Sequence, residues 1–525
     1  MDSIAKKVIL IILDGWGVAK PSSGNAITSA KTPNISAIEA KYPSLQIQAS
    51  GRTVGLPWGN EGNSEVGHLA LGSGRIIFHY LPRIVNSIQD GSFFENQTLK
   101  RISSHVKKND SSIHFMGLAS SGSVHSYIDH VYGLLEFAKR ESIEKVYLHI
   151  FTDGKDSPPN EAAKFVYNLD HKLKTQNLGK ISTVIGRIYS MDRSGDWGAT
   201  QKTYDLLVNG RGTLVRDAVS YIKLSYENGI TDPYIEPAVV NEDGKIEKSQ
   251  LISDNDAVIF FNFREDSARQ LTKVFLGHDF PYFERKSFNN LLFTTLVKYE
   301  DYIPESNVIF TPPDISNTIS EVISNSGKKQ VHIAETEKYA HATYFFNGMR
   351  EKPFPGEERV LIPSFGAPHY EKYPEMGAIK ITDEIVRCIP NFDFILVNFA
   401  NADMLSHLGH FNAIIKGVEV IDECIGRILK ARDESTAILI TSDHGNAEQM
   451  IDAHTGITKT EHSLNPVPVY LIHKDFALKK TRYKSLYTED IKGLLSDVAP
   501  TCLELMGLDI PDEMTGQSLL PVMIN

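Results

Sequence analysis

The chain has 525 residues, of which 41% are hydrophobic and 23% charged, and its formal net charge is -11. This composition is that of an ordinary globular protein, excludes collagenous and coiled-coil proteins, and argues against non-specific nucleic-acid binding. The length predicts two domains, or one domain with a large insertion.

The first predicted element is a buried strand over the apolar run Val8 to Leu13. It leads into Asp14, and the carboxyl ends of strands are the usual place for sites in α/β proteins. Further on, the segment Gly62 to His68 reads GNSEVGH and presents the hydroxyl of Ser64 between small residues. Ser64 is a candidate nucleophile that needs a base or a cation for activation. We expect the flanking glycines to form a tight turn, although alone such a segment is more often a surface turn.

From about residue 92 to residue 311 the pattern predicts a second α/β unit. Its predicted strands are Ile113 to Ala119, Lys145 to Thr152, Ile181 to Ile188 and Ala257 to Phe263. Each ends in polar residues, which would converge on one edge of a parallel sheet. Lys155, Arg187, Arg193 and Arg264 would then form a cationic pocket for a phosphate and a carboxylate. A single such arginine is more often a surface charge, but four at successive strand ends favour an anion site.

After Thr311 the chain returns to the first unit. The predicted strands are Val331 to Ala334, Val360 to Pro363, Phe394 to Phe399, Ala437 to Thr441 and Val467 to Ile472. A helix from about Asn412 to Arg432 carries one apolar stripe and belongs to the core. A helical pattern is also expected from Glu489 to Leu508. The alternation of strands and helices predicts an α/β protein with two mostly parallel sheets. Three dispersed cysteines and the absence of a membrane-length apolar run lead us to expect a cytoplasmic protein.

Acids and imidazoles follow several of these strands. The candidate ligands are Asp403 with His407, Asp443 with His444, and His462, together with Asp14 and Ser64 from the N-terminal region. Asp403 and His407 are spaced i and i+4, so they face the same way on a helical turn. The set is large enough for two cations, and carboxylate with imidazole suits manganese or zinc. Each histidine alone is more often structural, in a chain that has 18 of them.

Together these segments resemble the 2,3-bisphosphoglycerate-independent phosphoglycerate mutases, members of the alkaline phosphatase superfamily. The resemblance is carried by Ile12 to Gly17, Gly62 to His68, Asp403 with His407, Asp443 to Glu448, and His462 with Asn465 to Pro468. It extends through nearly the whole chain, including Ala334 to Tyr339 and Pro353 to Glu357.

The resemblance implies an alkaline-phosphatase-like metal domain over residues 1–78 and 314–525. A large second α/β domain, residues 79–313, would be inserted in it and bind substrate. The implied reaction is the glycolytic and gluconeogenic interconversion of 3-phosphoglycerate and 2-phosphoglycerate through a phosphoserine at Ser64. A monomer whose domains close on substrate is expected, because water at the phosphoserine would cause hydrolysis.

The resemblance also implies the site residues. Two Mn²⁺ ions, or other divalent ions, would be bound, one by Asp14, Ser64, Asp443 and His444, the other by Asp403, His407 and His462. The implied substrate-binding residues are His125, Lys155, Asp156, Arg187, Arg193, Arg264 and Lys338. Among them, Asp156 would be the acid and base for the glycerate hydroxyls, and Lys338 would stabilise the transferring phosphoryl group.

Two positions depart from the family pattern. Lys155 stands where an arginine is expected, and Ser267 stands where the family has another arginine. Losing one charge-assisted contact costs on the order of 2 to 4 kcal/mol if nothing replaces it. Arg269 is a candidate replacement.

Two other functions fit parts of the sequence. A metal-dependent phosphomonoesterase, or another phosphomutase, would keep Ser64 and the metals but not the insertion's strand-end residues, and it would release phosphate or act on another substrate. A non-catalytic binding or scaffold protein is suggested by Lys155 and Ser267. The complete set of expected ligands and the nucleophile argue against the scaffold.

Overall fold

The computed structural model describes residues 4–452, 455–477 and 485–524. The chain divides into two compact units, which we call the first unit (Met1–His79 with Pro313–Asn525) and the second unit (Tyr80–Pro312). Each is built on an eight-stranded sheet flanked by helices. The predicted α/β class with two sheets is therefore confirmed.

All ten predicted strands are present. The sixteen strands of the described residues are β1 (Lys7–Leu13), β2 (Ser44–Gln48), β3 (Ile113–Ala119), β4 (Val146–Thr152), β5 (Lys180–Gly186), β6 (Thr213–Val215), β7 (Ala238–Val240), β8 (Ala257–Phe260), β9 (Leu292–Val297), β10 (Val308–Phe310), β11 (Gln330–Glu335), β12 (Glu357–Ile362), β13 (Phe394–Phe399), β14 (Thr436–Thr441), β15 (Val467–Ile472) and β16 (Ile491–Leu494). Six were not predicted, and three of these, β6, β7 and β10, are only three residues long. A strand of three residues is too short to show a detectable alternation of apolar and polar residues in the sequence.

The helices lie between the strands. Those of the described residues are α1 (Ala26–Ser29), α2 (Pro33–Lys41), α3 (Ser64–Ser73), α4 (Tyr80–Asp90), α5 (Gln97–Asn109), α6 (Ile128–Arg140), α7 (Ala162–Gln176), α8 (Arg187–Ser190), α9 (Trp197–Asn209), α10 (Ala218–Glu227), α11 (Arg269–Leu276), α12 (Ile319–Asn325), α13 (Ala378–Cys388), α14 (Asn401–His407), α15 (Phe411–Ala431), α16 (Val498–Leu505) and α17 (Leu520–Ile524). None of them combines the length and the apolar character needed to cross a bilayer.

Two helix predictions have different outcomes. The apolar stripe predicted from Asn412 to Arg432 is confirmed, because α15 buries it completely. The helical pattern predicted from Glu489 is wrong in its first half, where β16 and a 3-10 turn precede α16. Pro500 lies in the first turn of α16, where its missing N–H would have no helical partner in any case.

The sheet of the first unit has the order β12-β11-β13-β1-β14-β15-β2-β16. The strands from β12 to β14 are parallel, and β15 runs antiparallel to both of its neighbours. Alternate residues of β1 enter two hydrophobic cores: Ile9, Ile11 and Leu13 face one, and Val8, Leu10 and Ile12 face the other. A strand buried on both faces explains why this run reads as continuously apolar.

The sheet of the second unit has the order β10-β9-β8-β3-β4-β5-β7-β6. Only β5 and β7 pair antiparallel among its described strands. The four strands predicted from sequence, β8, β3, β4 and β5, are neighbours and parallel. Their carboxyl ends therefore lie along one edge of the sheet, as expected.

Candidate active site

Three neighbouring strands at the centre of the first unit lead to acidic residues. β1 pairs in parallel with β13 on one side and with β14 on the other. Asp14 follows β1 directly, Asp403 lies in the first turn of α14 after β13, and Asp443 follows β14. All three side chains are buried. The parallel arrangement thus collects three carboxylates at one edge of the sheet.

One group at this edge comprises Asp403, His407 and His462. Their ligand atoms lie within 4.8 Å of one another. His407 Nε2 and His462 Nε2 are 3.1 Å apart, and each is 3.3 Å from Asp403 Oδ1. The other ring nitrogens face backbone carbonyls, with His407 Nδ1 at 2.9 Å from Thr460 O and His462 Nδ1 at 2.7 Å from Gly62 O.

This hydrogen bonding fits a metal ion. A carbonyl oxygen can only accept, so each Nδ1 carries a proton, and in the neutral rings each Nε2 is an acceptor. Two Nε2 lone pairs and a carboxylate oxygen then face each other, and a divalent cation satisfies all three. Metal-bound histidines commonly donate their second N–H in this way. The hydrogen bond to the carboxylate of Asp403 also raises the pKa of His407, so this carboxylate favours a positive charge beside it.

The second group comprises Asp14, Asp443 and His444, whose ligand atoms also lie within 4.8 Å of one another. Asp443 Oδ2 lies 3.2 Å from His68 Nδ1, but that N–H is directed at the Ser64 carbonyl at 2.9 Å. Among the described residues this buried carboxylate oxygen accepts no hydrogen bond. An anionic oxygen left without a donor beside an imidazole and a second carboxylate is the donor set of a divalent cation.

Ser64 lies beside the second group and Lys338. It is the first residue of α3, whose N-cap Asn63 accepts from Val66 N at 3.1 Å. Ser64 Oγ is 3.0 Å from His444 Nε2, 3.2 Å from Asp14 Oδ1 and 2.6 Å from Lys338 Nζ. The hydroxyl is therefore buried among a carboxylate, an imidazole and an ammonium group, in a position suited to a nucleophile.

Lys338 connects the two groups. Its Nζ donates to Asp14 Oδ1 at 2.7 Å and to Asp403 Oδ2 at 2.6 Å. Burial disfavours its charge, but the carboxylates of Asp14, Asp403 and Asp443 outweigh this effect and raise the pKa of Lys338. The same balance raises the pKa of His444 to about 9, because Asp443 and Asp14 outweigh the burial of the ring. The site as a whole stabilises positive charge.

The structure corrects one expectation about the Ser64 segment. Gly67 was expected to help form a tight turn, but it lies inside α3. A Cβ atom at Gly67 would be 2.6 Å from the carbonyl oxygen of Asp443. The glycine is required for the close approach of α3 to the Asp443 segment, which brings Ser64 beside the second group.

Sequence reasoning missed three polar residues that hold the ligands. Asn398 Nδ2 donates to Asp14 Oδ2 at 2.8 Å, and Asn446 Nδ2 donates to Asp403 Oδ1 at 2.9 Å. His68 contacts Asn398 at 3.0 Å through Nε2. Asn398 interrupts an apolar strand, and His68 and Asn446 lie within the segments that carry the family resemblance, so these were available signals.

In the second unit, the carboxyl edge of the sheet brings together most of the predicted substrate residues. Arg187 Nη1 donates to Asp156 Oδ2 at 2.7 Å, and His125 Nε2 lies 3.8 Å from the same oxygen. Arg193 and Arg264 both pair with Asp266, at 2.5 and 3.2 Å. Burial, reinforced by the charge of Arg187, lowers the pKa of His125.

Two acidic residues of this edge had no predicted role. Asp153 accepts from Arg187 Nη1 at 2.5 Å and from the backbone N–H groups of Lys155 and Asp156, both at 3.1 Å. Asp266 lies 3.5 Å from His125 Nδ1 in addition to its two arginines. Three arginines therefore face three carboxylates, so the pocket is less positive than the basic residues alone suggested.

The two departures from the family pattern occupy different environments. Lys155 is exposed, and among the described residues its ammonium group has no partner. Ser267 is buried at 3% exposure. Arg269, the candidate replacement, donates to Tyr299 O at 3.1 Å and lies near Glu265 and Glu300, at 3.7 and 3.6 Å. These partners differ from Asp266, with which Arg193 and Arg264 pair.

Comparisons with known proteins agree with this architecture. A family profile described as "BPG-independent PGAM N-terminus" matches residues 84–301, and one described as "Type I phosphodiesterase / nucleotide pyrophosphatase" matches residues 303–478. The chain is 45% identical to the 2,3-bisphosphoglycerate-independent phosphoglycerate mutase of Clostridium beijerinckii, over 98% of this chain and 99% of that one. It is 44% identical to the protein of that name from Moorella thermoacetica, over 99% of each.

A solved structure is also similar over its full length. The crystal structure of Leishmania mexicana phosphoglycerate mutase at low cobalt concentration is 27% identical, with a TM-score of 0.57, and covers 98% of this chain and 97% of that one. The similarity thus extends through both units.

Proposed function

Because the chain belongs to the 2,3-bisphosphoglycerate-independent phosphoglycerate mutase family, we infer that it is an isomerase that interconverts 3-phosphoglycerate and 2-phosphoglycerate. We propose that Ser64 carries the phosphoryl group between the two hydroxyls of glycerate. The observation that carries this proposal is the convergence of Ser64 Oγ, Lys338 Nζ and two acid–imidazole groups at one sheet edge.

In the first step, Ser64 Oγ forms a bond to phosphorus while the bond from phosphorus to the glycerate oxygen breaks. In the second step, the other glycerate hydroxyl takes the phosphoryl group and Ser64 is regenerated. Lys338 Nζ, at 2.6 Å from Ser64 Oγ, would pair with the phosphoryl oxygens throughout. The charge that develops on these oxygens is thereby met by a group already in place.

Two divalent cations would be held by the two groups, one by Asp403, His407 and His462, the other by Asp14, Asp443, His444 and Ser64. When bound, they would lower the pKa of the Ser64 hydroxyl and neutralise the phosphoryl group. We propose manganese, because the ligands are carboxylates and imidazoles without a thiolate. We also propose, from the family resemblance, a cytoplasmic monomer without nucleic-acid or membrane partners.

In the second unit, Asp156 is proposed to protonate the leaving glycerate oxygen and then to remove the proton from the other hydroxyl. Arg187 would hold Asp156 in place, since their atoms are 2.7 Å apart and Arg187 is buried. Arg193 and Arg264 are 62% and 49% exposed, and with His125 and Lys155 they are proposed to bind the substrate anions. The match of this unit to the mutase N-terminal profile supports these roles.

The test is a product analysis of the manganese-loaded protein. Incubation with 3-phosphoglycerate, followed by ³¹P NMR, measures 2-phosphoglycerate and inorganic phosphate in one spectrum. We expect 2-phosphoglycerate to dominate, and rapid quenching to trap protein with one phosphoryl group on Ser64. Release of phosphate without 2-phosphoglycerate would replace this proposal by a phosphomonoesterase. Absence of turnover with retained phosphoglycerate binding would favour a binding protein.

A further inference from the structure

A single buried carboxylate lies behind the candidate active site. Glu448 is 2% exposed and accepts four hydrogen bonds. Its Oε2 accepts from Gly17 N at 3.0 Å and from Asn446 N at 2.8 Å. Its Oε1 accepts from Asn465 Nδ2 at 2.9 Å and from the hydroxyl of Ser463. Each of these four donors therefore has an oxygen of the Glu448 carboxylate as its acceptor.

These donors belong to the three segments that carry most of the candidate ligands. Gly17 lies three residues after Asp14 in the loop that follows β1, and Asn446 follows Asp443 and His444. Ser463 follows His462 directly. Glu448 therefore joins segments that are 431 and 15 residues away from it along the chain. It touches no proposed ligand, but it fixes the backbone on which ligands of both groups are mounted.

Two glycines make this arrangement possible. A Cβ atom at Gly17 would be 2.2 Å from Glu448 Cδ, and one at Gly445 would be 2.6 Å from Glu448 Oε1. Gly445 also exchanges a backbone hydrogen bond with the His462 segment, since its carbonyl accepts from Ser463 N at 3.0 Å. The glycines of the Asp14 and His444 segments thus leave space for one carboxylate between the backbones.

We propose that Glu448 is a positioning residue that sets the distance between the two cation sites. His462 belongs to one group, while Asp14, Asp443 and His444 belong to the other. Glu448 accepts hydrogen bonds from residues that lie close to ligands of both groups in the chain. This inference rests on the proposed metal site. Residues that orient metal ligands typically change metal affinity about 10- to 100-fold when replaced.

The central variant is Glu448→Gln. Glutamine keeps the shape of the glutamate side chain. Its NH₂ group, however, donates hydrogen bonds and would face two donors at a position where the carboxylate oxygen accepted from both. The matched control is Asp422→Asn, in the same unit. Asp422 is also buried and accepts from Ile35 N at 2.8 Å and from Asn34 N and Nδ2 at 3.1 and 2.9 Å. It joins α2 to α15, away from the candidate ligands.

The measurement is a titration of the metal-free full chain with Mn²⁺, in which EPR counts the free ion. We expect two ions per wild-type chain, unchanged affinities in Asp422→Asn, and affinities about 10- to 100-fold weaker in Glu448→Gln. Excess Mn²⁺ should restore much of the isomerase rate of Glu448→Gln without changing KM for 3-phosphoglycerate. A role in folding alone would not give this rescue.

A second variant covers the case in which Glu448→Gln does not fold. Ser463→Ala removes the donor to Glu448 beside His462, together with the acceptor of Asn465 N at 3.2 Å. It should weaken the binding of one of the two ions and leave the other unchanged. Wild-type affinities in the folded variants would overturn this inference alone. Absence of Mn²⁺ binding by the wild-type chain would overturn the proposed metal site, and this inference with it.

Discussion

Replacement of Lys338 by methionine probes the charge balance of the site. Methionine keeps the length of the side chain and removes its charge. In the native chain, Lys338 Nζ lies 2.7 Å from Asp14 Oδ1 and 2.6 Å from Asp403 Oδ2, and both carboxylates are buried. The substitution removes the ammonium group that lies nearest to these two buried carboxylates.

The expected cost follows from this burial. Removal of one partner of a buried ion pair destabilises a protein by about 3 to 5 kcal/mol. We expect a loss of this size in the free energy of unfolding of metal-free Lys338→Met. Divalent cations would supply positive charge to the same carboxylates, so saturating Mn²⁺ should shrink the loss. The isomerase rate should remain low, because the cation beside Ser64 Oγ is missing in both conditions.

Urea unfolding with EDTA and with Mn²⁺, together with steady-state rates, tests this expectation. The control is Lys416→Met, which breaks the exposed pair with Glu419 and should leave stability and rate unchanged. If metal-free Lys338→Met were as stable as the wild-type chain, Lys338 would not balance the buried carboxylates. An equal loss with and without Mn²⁺ would show that the ions do not bind beside Lys338.

Three further predictions concern the nucleophile, the metal and acid stability. Ser64→Ala should lower isomerisation by on the order of 10⁴-fold or more, whereas Ser73→Ala, in the same helix and buried, should retain activity; an active Ser64→Ala would exclude the phosphoserine route. EDTA should abolish activity and lower the melting temperature, and Mn²⁺ at 100 times its Kd should restore about 2.7 kcal/mol of stability for each ion bound; unchanged melting would contradict the metal site. Burial lowers the pKa of His130 to about 3, so the unfolded chain binds this proton first as pH falls from 6.5 towards 3, and about 2 kcal/mol is lost by pH 5. Urea unfolding at pH 7 and at pH 5 gives the difference in the free energy of unfolding between the two pH values. His130→Leu should make this difference smaller by about 2 kcal/mol, and an unchanged difference would refute the assignment.

The fold was predictable where the strands are long and buried on both faces. β1, β13 and β14 read as apolar runs because neither face meets water. The acids after them could be placed at one edge, since parallel strands end together. The direction of β15 could not be predicted in this way. This strand is equally apolar but runs antiparallel to β14, and a periodic pattern of apolar residues does not show the direction of a strand.

The candidate ligands were also available from sequence, but the partners of the residues that hold them were not. Asn398 and Glu448 act through hydrogen bonds to groups that lie 384 and 431 residues away along the chain. No local pattern predicts such pairs, because each depends on the register of strands that meet only in the folded sheet. Gly67 illustrates the same limit, since its function is a contact with Asp443 rather than a turn.

In the second unit, the basic residues alone do not determine the charge of the proposed pocket. Arg193 and Arg264 share Asp266, and Arg187 shares Asp153 and Asp156. An incoming anion must therefore compete with carboxylates of the protein for the same guanidinium groups. Ser267 stands where the resemblance led us to expect an arginine, and its hydroxyl adds no positive charge. If the pocket binds an anion as proposed, the exposed ammonium of Lys155 would be the cation that meets it without first leaving a partner in the described part of the chain.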